Sequence, residues 1–315
     1  MIEAVKNLIS QYEKITILTH LNPDANTIGT ALGIYGILKN SGKQVEVVNY
    51  ATNLLINLDF LPYFVKIKNQ IDFNDSLIIA CDTGSVDRLG FDVSSREIIN
   101  IDHHKSNTMY GTINIVDPMA VSASQVAYGL FKDEFTITKD IATCFYTALL
   151  SDTQYFTTNN VKNDTFNIAS ELMACGVDIS EVVFNLKQRQ SLASLRILSS
   201  TLDTLDLYND GEVVFMVASK EKLLEAGASI LDTVGIVDYG ISLVTSKLSI
   251  VLVELEDNIR VSMRSKTIDI SNLAIAFGGG GHNNAAGFEV ANIDKERLIE
   301  MIKKEIKTKG LLDEK

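Results

Sequence analysis

The stretch ITILTHLNPDANTIGTALGIYGILKNSG, residues 15–42, reads as a strand, a polar turn and a helix. ITILT (15–19) is a short β-branched run, the composition of a strand. After HLNPD a helical stretch runs from about Ala25 to Lys39 and is closed by Gly42. The same strand-to-helix alternation continues downstream. QVEVVN (44–49), SLIIAC (76–81) and EIINI (97–101) read as strands, and helical stretches lie around 120–132, 138–150 and 163–175. Short apolar strands interleaved with helices predict an α/β domain, with a mostly parallel sheet and flanking helices.

The polar residues of this half sit where such a sheet binds ligands. His20, Asp24, Asp82, Asp102, His103 and His104 fall at or just after the C-terminal ends of expected strands. In open α/β sheets that edge is the binding edge, so residues more than eighty positions apart meet there. Asp152 joins them differently, following the helical run IATCFYTALLS. The chain has four histidines, in HLNPDANTIG, IDHHKSN and FGGGGHNNAAG, each beside Asp, Asn or Gly. Histidine is the commonest nitrogen ligand for metals and the usual proton carrier at neutral pH. Imidazole with carboxylates and no thiolate favours Mn²⁺, Mg²⁺, Co²⁺ or Fe²⁺ over structural zinc. So many carboxylates at one edge repel each other unless cations are present. Two metals roughly 3.5–4 Å apart, bridged by one carboxylate, would satisfy them and clamp a phosphate. Taken singly, each Asp reads equally as a turn or helix-cap residue.

The second half begins with a helical segment from about Asp178 to Leu207, without Gly or Pro. EVVFMVAS (212–219), ISLVTSKLSIVLVELE (241–256) and NIRVSMRS (258–265) read as strands, with a break near 246–247 and a turn at 257–258. SNLAIAF (271–277) is a short helix running into the glycines, and an amphipathic helix covers about 293–308. The expected organisation is a metal-binding domain over 1–180, a helical connector over 181–208 and a smaller α/β domain over 209–315.

Composition narrows the function. With 46% hydrophobic and 22% charged residues, the chain is globular. A net charge of −12 argues against coating long nucleic acid, which needs a basic surface. It leaves room for a small phosphorylated ligand at a site where bound cations outweigh the acidic background. No stretch approaches the roughly 20 apolar residues of a membrane span, and the N-terminus lacks the features of a signal peptide. Cys81, Cys144 and Cys175 lie far apart in apolar segments and suit reduced thiols of a cytoplasmic protein.

In order along the chain, HLNPD, CDTGS, the triplet Asp102-His103-His104 and LLSDT resemble the four motifs of the DHH (Asp-His-His) phosphoesterases. GGGGHNNAAG resembles the signature of their C-terminal DHH-associated domain. The likeness spans roughly residues 15–290, and the length suits the stand-alone nanoRNase/pAp-phosphatase branch. It implies a two-metal site, with Mn²⁺ expected and Mg²⁺ or Co²⁺ as substitutes, in the cleft between two domains. His20 and Asp24 would hold one ion, Asp82 would bridge both, and His103 and Asp152 would hold the second. Asp102 would orient a histidine, and His104 would contact the scissile phosphate. Arg264, with Ser262 and Ser265 beside it, the amides of Gly279, Gly280 and Gly281, and His282 would grip the substrate's far phosphate or base. Glycines let backbone amides approach an anion and Arg offers a bidentate fork, so the chemistry agrees.

One position departs from the family pattern. The first motif usually reads H-x-N-P-D-x-D, and the last position here is Asn26. Asn offers a neutral carbonyl oxygen where the family supplies a carboxylate to the second metal. The favoured reading is an Asp→Asn form of a working enzyme, because the other motif residues are intact. A weakened second metal site and a non-catalytic nucleotide binder remain alternatives. The implied activity is hydrolysis of pAp, a 3′,5′-bisphosphonucleotide, and of very short oligoribonucleotides. Hydrolysis of linear or cyclic dinucleotides (pApA, pGpG, c-di-AMP) is the alternative within the same chemistry. Inorganic pyrophosphatase is disfavoured, since it has no use for GGGGH. The expected partners are a small nucleotide or short RNA and, at most, a second copy in a homodimer. Neither a membrane nor long double-stranded nucleic acid is expected.

Overall fold

The computed structural model describes residues 2–51, 54 and 56–312. Residues 1 and 313–315, at the outer ends of the first and last expected domains, lie outside the described residues. The chain forms two compact units, residues 1–189 and 190–315.

The first unit runs α1 (Ile2–Gln11), β1 (Lys14–Thr19), α2 (Ala25–Asn40), β2 (Gln44–Val48), β3 (Ile67–Lys68), β4 (Leu77–Cys81), β5 (Ile98–Asp102) and β6 (Ile113–Val116). It continues with α3 (Ala123–Phe131), α4 (Lys139–Asp152), α5 (Asn163–Ala174) and α6 (Ile179–Val183). The six strands form one sheet in the order β3-β2-β1-β4-β5-β6, with every neighbouring pair parallel. The order reverses between β1 and β4, and such a reversal opens a crevice beyond the strands' C-terminal ends.

The strands are apolar throughout because both faces are covered. Ile15, Ile17, Leu77, Ile79, Cys81, Ile99 and Ile101 join a core with residues of α1 to α5. The alternate residues Leu18, Ile78, Ala80 and Ile98 form a smaller core with Leu89 and Val93. This is the two-residue period of a strand. Helix α2 is buried from Ala25 to Leu38 and lies close against α4. A Cβ at Gly29 would fall 2.5 Å from the Cys144 carbonyl oxygen, and one at Gly33 would fall 2.4 Å from the Phe145 ring. The two glycines therefore permit the contact between the helix that begins at the binding edge and the helix that ends there.

The second unit contains α7 (Leu192–Leu202), β7 (Asp206–Tyr208), β8 (Val213–Ala218), α8 (Lys220–Ala226), α9 (Ile236–Ile241), β9 (Leu248–Glu254) and β10 (Asn258–Ser265). It closes with α10 (Ser271–Ala276), β11 (Gly280–Gly281), β12 (Ala285–Ala291) and α11 (Lys295–Thr308). Its sheet has the order β11-β12-β10-β9-β8-β7, antiparallel except for the β8–β9 pair. One face packs on α10 and α11, and the other on α7, α8 and α9.

The structure corrects one reading of this half. Residues 241–247, expected as the first arm of a hairpin, are the end of α9 and a turn, and only 248–254 are strand. β8 and β9 are parallel, so they need a crossover that a hairpin does not provide. α8 and α9 supply it. The stretch 181–208 holds α6, a π-helical turn (Phe184–Gln188), an extended break at 189–191, α7 and β7. Arg189 donates to both carboxylate oxygens of Asp59 within the first unit, while Ile197 of α7 packs in the second. The three cysteines are free; Cys81 and Cys144 are buried and Cys175 is half-buried. Among the described residues, no helix is long and apolar enough to cross a membrane.

Candidate metal centre

The binding edge of the first unit gathers the expected residues. His20 follows β1, and Asp24 caps α2, its Oδ1 accepting from the Thr27 amide at 2.9 Å. Asp82 follows β4, Asp102 ends β5 with His103 and His104 behind it, and Asp152 is the last residue of α4. β1 and β4 are neighbours in the sheet, so His20 and Asp82 stand on either side of the order reversal. Asp82 has φ 55°, a left-handed backbone that a non-glycine residue rarely adopts. Its amide donates to Ile101 O at 2.9 Å, and the Cys81 carbonyl before it accepts from Thr27 and Thr83 hydroxyls. These bonds hold an unfavourable conformation that aims the carboxylate into the cluster.

Asp82 is shared by two sets of donor atoms. One set is His20, Asp24 and Asp82, and the other is Asp82, His103 and His104, with each set's ligand atoms within 4.8 Å of one another. His20 Nε2 lies 3.9 Å from Asp82 Oδ2, and His103 Nε2 lies 3.4 Å from Asp82 Oδ1 and 3.3 Å from Asp152 Oδ2. Asn26 Nδ2 donates to the same Asp152 Oδ2 at 3.1 Å. Asp102 sits behind the cluster, fully buried. Its Oδ1 accepts from the His103 amide at 2.8 Å and meets His104 Nδ1 at 2.6 Å, while its Oδ2 accepts from Asn107 Nδ2 at 2.5 Å. His103 is oriented separately, its Nδ1 lying 3.3 Å from Ala120 O. Asn107 and the Ala120 carbonyl escaped the sequence reading. Asn107 stands inside DHHKSN and was within reach of it, whereas a backbone carbonyl leaves no trace in a sequence.

The electrostatics point to cations. Withdrawal from water pushes the Asp152 carboxyl up to about 8, with Asp82 and Asp24 adding to the effect and His103 opposing it. Burial alone would lower His103, but Asp82 and Asp152 carry it up to about 10. Burial alone would raise Asp102, but His104, Asn107 and the His103 amide bring it down to about 2. In the metal-free protein the cluster thus holds protons where cations would go. Among the described residues, the buried atoms Asp82 Oδ1, His20 Nδ1 and Asn26 Oδ1 have no hydrogen-bond partner. Buried polar atoms are ordinarily paired, and the histidine nitrogens and carboxylate oxygens gathered around Asp82 are donors of the kind a hard or borderline divalent ion takes.

The remaining expected residues lie together in the second unit. On β10, Ser262 pairs with Gly287 of β12, which pairs with Gly280 of β11, so the three stand in line across the sheet. Arg264 stands two residues along, opposite Ala285. Gly280, Gly281 and His282 are exposed. Gly279 is different. Its amide donates to Ala274 O at 2.9 Å, and a Cβ there would fall 2.2 Å from Gly287 O. Its glycine identity is explained by close approach to β12, and its N–H is engaged at the end of α10. The His282 amide likewise donates within the turn, to Ala285 O at 2.7 Å. Ser265 is buried, its hydroxyl accepting from the Ile268 amide.

A family model described as "DHH family, N-terminal domain" matches residues 14–149, and one described as "DHHA1 domain" matches residues 205–308. The chain belongs to the DHH family. This DHH-family chain is 29% identical over 307 residues to the bifunctional oligoribonuclease and PAP phosphatase NrnA of Thermus thermophilus, covering 95% of this chain and 92% of that protein. It is 27% identical over 315 residues to the protein of the same name from Mycoplasma genitalium, covering 94% of each. Among solved structures, an exopolyphosphatase-related protein from Bacteroides fragilis superposes with a TM-score of 0.87 at 27% identity, covering 98% of this chain and 96% of that one.

Proposed function

We propose that this DHH-family chain is a metal-dependent phosphohydrolase acting on pAp and very short oligoribonucleotides. The observation that carries the reading is Asp82, shared by two nitrogen-and-oxygen donor sets at the reversal point of a parallel sheet. Two divalent ions, Mn²⁺ by the donor chemistry with Mg²⁺ or Co²⁺ as substitutes, would supply positive charge to a phosphoryl group and acidify water beside it. His20, Asp24 and Asp82 would hold one ion; Asp82, His103 and Asp152, with the Asn26 carbonyl, would hold the other. Asp102 keeps the His104 ring in one orientation, and His104 meets the scissile phosphate and offsets the charge that develops there. Arg264 and Ser262, with the exposed Gly280–281 segment and His282, hold the substrate's other phosphate or base. The chain covers nearly the whole length of relatives named for both oligoribonuclease and PAP phosphatase activities, which supports the substrate choice.

A second reading, a nucleotide binder without turnover, is favoured by one observation. Asn26 is 2% exposed and its amide donates to Asp152, where a carboxylate would instead repel it. One experiment separates the readings. Mn²⁺-dependent release of phosphate from pAp and of AMP from pApA is measured for this chain and for Asn26→Asp. Turnover by the substituted chain alone makes position 26 a metal ligand and this chain an inactivated phosphoesterase. Nucleotide binding without turnover in either form sinks the catalytic reading. Faster release from pApA than from pAp moves the main substrate to dinucleotides.

A further inference from the structure

Arg264 is held before any ligand arrives. Its Nε, buried and without a hydrogen-bond partner among the described residues, lies 3.1 Å from Asp238 Oδ1 of α9 as an ion pair, and its Nη1 donates to Met263 O at 3.2 Å. The close seating of α9 on the sheet brings this about. Arg264 pairs with Ser249 of β9, and a Cβ at Gly240 of α9 would fall 2.3 Å from Ser249 Oγ. Further along the same face of β9, Val251 and Val253 pack with Ile236 and Val237 of α9. Gly240 therefore lets the helix backbone rest beside Arg264, and Asp238, two residues earlier, reaches the guanidinium. The cross-strand neighbours Ser249 and Ala285 are both small.

The pair is poorly explained as a fold stabiliser. The Asp238 side chain is 49% exposed and that of Arg264 is 30% exposed. An ion pair open to solvent adds little stability. A carboxylate also weakens the pull of an arginine on anions, so placing one here makes sense through geometry. The charge of Asp238 beside Nε and the hydrogen bond at Nη1 together restrict a long side chain whose rotamers a ligand would otherwise have to freeze out. Neither contact uses Nη2, at the end of the fork that recognises phosphate and carboxylate.

We propose that Asp238 is a positioning residue for the substrate: it holds the Arg264 guanidinium so that its terminal edge meets a phosphate of the nucleotide. The inference rests on the assignment of Arg264 to the substrate. It is tested on the Mn²⁺-loaded full chain by calorimetric Kd for pAp, with KM and kcat in the Asn26→Asp background and metal content alongside. The variants are Asp238→Asn, Asp238→Glu, Arg264→Ala and the Asp238→Asn/Arg264→Ala pair. Asp238→Asn is expected to raise Kd and KM about 2- to 5-fold with kcat and metal content unchanged, the size of a partly exposed ion pair. Asp238→Glu is expected to recover most of that loss. In the Arg264→Ala background, Asp238→Asn is expected to add nothing, because its only route is through the arginine. An unchanged or lowered Kd in Asp238→Asn, or effects that multiply in the double variant, would overturn the role of Asp238 while leaving Arg264 in place. An unchanged Kd in Arg264→Ala would remove the arginine from the substrate site, and the inference with it.

Discussion

Asp82 lies 3.9 Å from His20 on one side and 3.4 Å from His103 on the other. A carboxylate in that place serves both donor sets, so Asp82→Ala is expected to remove both ions and all measurable turnover. Elemental analysis of the purified variant checks this, and retained turnover with two ions bound would rule out the shared-ligand assignment. Asn26 poses the opposite question. Its Oδ1 is buried without a hydrogen-bond partner among the described residues, and its amide donates to the Asp152 carboxylate. Asn26→Asp puts a second carboxylate against Asp152, unfavourable without metal and favourable with it. Mn²⁺ affinity, followed by calorimetry, is expected to tighten on the order of 10-fold, since affinity at such sites follows ligand charge. An unchanged affinity would mean that position 26 does not face the second ion.

At the scale of elements, the site depends on how closely α2 and α4 pack. α2 carries Asp24 and Asn26 at its start, α4 carries Asp152 at its end, and of the α2 glycines Gly29 faces the α4 backbone while Gly33 faces the Phe145 ring. Gly29→Ala places a methyl 2.5 Å from the Cys144 carbonyl, so the helices must move apart. Overpacking of this kind costs about 1–3 kcal/mol, a drop of several degrees in Tm for a unit of this size. Because the two ends of the site ride on the two helices, Mn²⁺ binding is expected to weaken as well. Gly129→Ala in α3 is the control: no atom of the described residues lies within 4 Å of its added Cβ. There the better helix propensity of Ala is expected to add about 0.5–1 kcal/mol. Thermal melts of the two variants should therefore shift in opposite directions. Equal shifts would show that the α2–α4 contact is looser than its geometry implies.

At the scale of the whole molecule, metal and protons compete for one cluster. Asp152 titrates near 8 in the metal-free fold, far above an unfolded aspartate, and His103 near 10, above an unfolded histidine. A group whose pKa is raised on folding contributes stability that is present below its unfolded pKa and lost as pH rises through the folded value. For Asp152 the loss spans the interval from the ordinary aspartate range up to about 8, and for His103 from the ordinary histidine range up to about 10. The metal-free protein should therefore weaken as pH rises past neutrality. Metal binding requires the same protons to leave, so affinity rises over that interval. The Tm difference between Mn²⁺-loaded and EDTA-treated protein is thus expected to be larger at pH 8.5 than at pH 6.5. A difference that shrinks with pH would contradict metal binding at Asp152 and His103.

The strand-to-helix alternation, the placement of His20, Asp82 and Asp102 at strand ends and the order of the motifs were all legible along the chain. Each is a local property: strand composition, helical period and the residue that follows a strand are set by near neighbours. What stayed hidden depends on distant ones. The strand order β3-β2-β1-β4-β5-β6 follows from which helices cross over which strands, and β3 and β6 are too short to read alone. Residues 241–247 have the apolar character of a strand, yet end a helix and form a turn, because the parallel β8–β9 pair needs a crossover. At the metal centre the residue types were readable, but the supports were not: Asn107 reaches Asp102 and the Ala120 carbonyl reaches His103 only after the loops fold back. Asp238 meets Arg264 only because Gly240 lets a helix settle onto the sheet. The chain by itself determined which chemical groups are present and on which kind of element each rides. Tertiary packing alone decided which of them touch, because contacts between residues far apart in sequence are set by the closeness of helices and sheets.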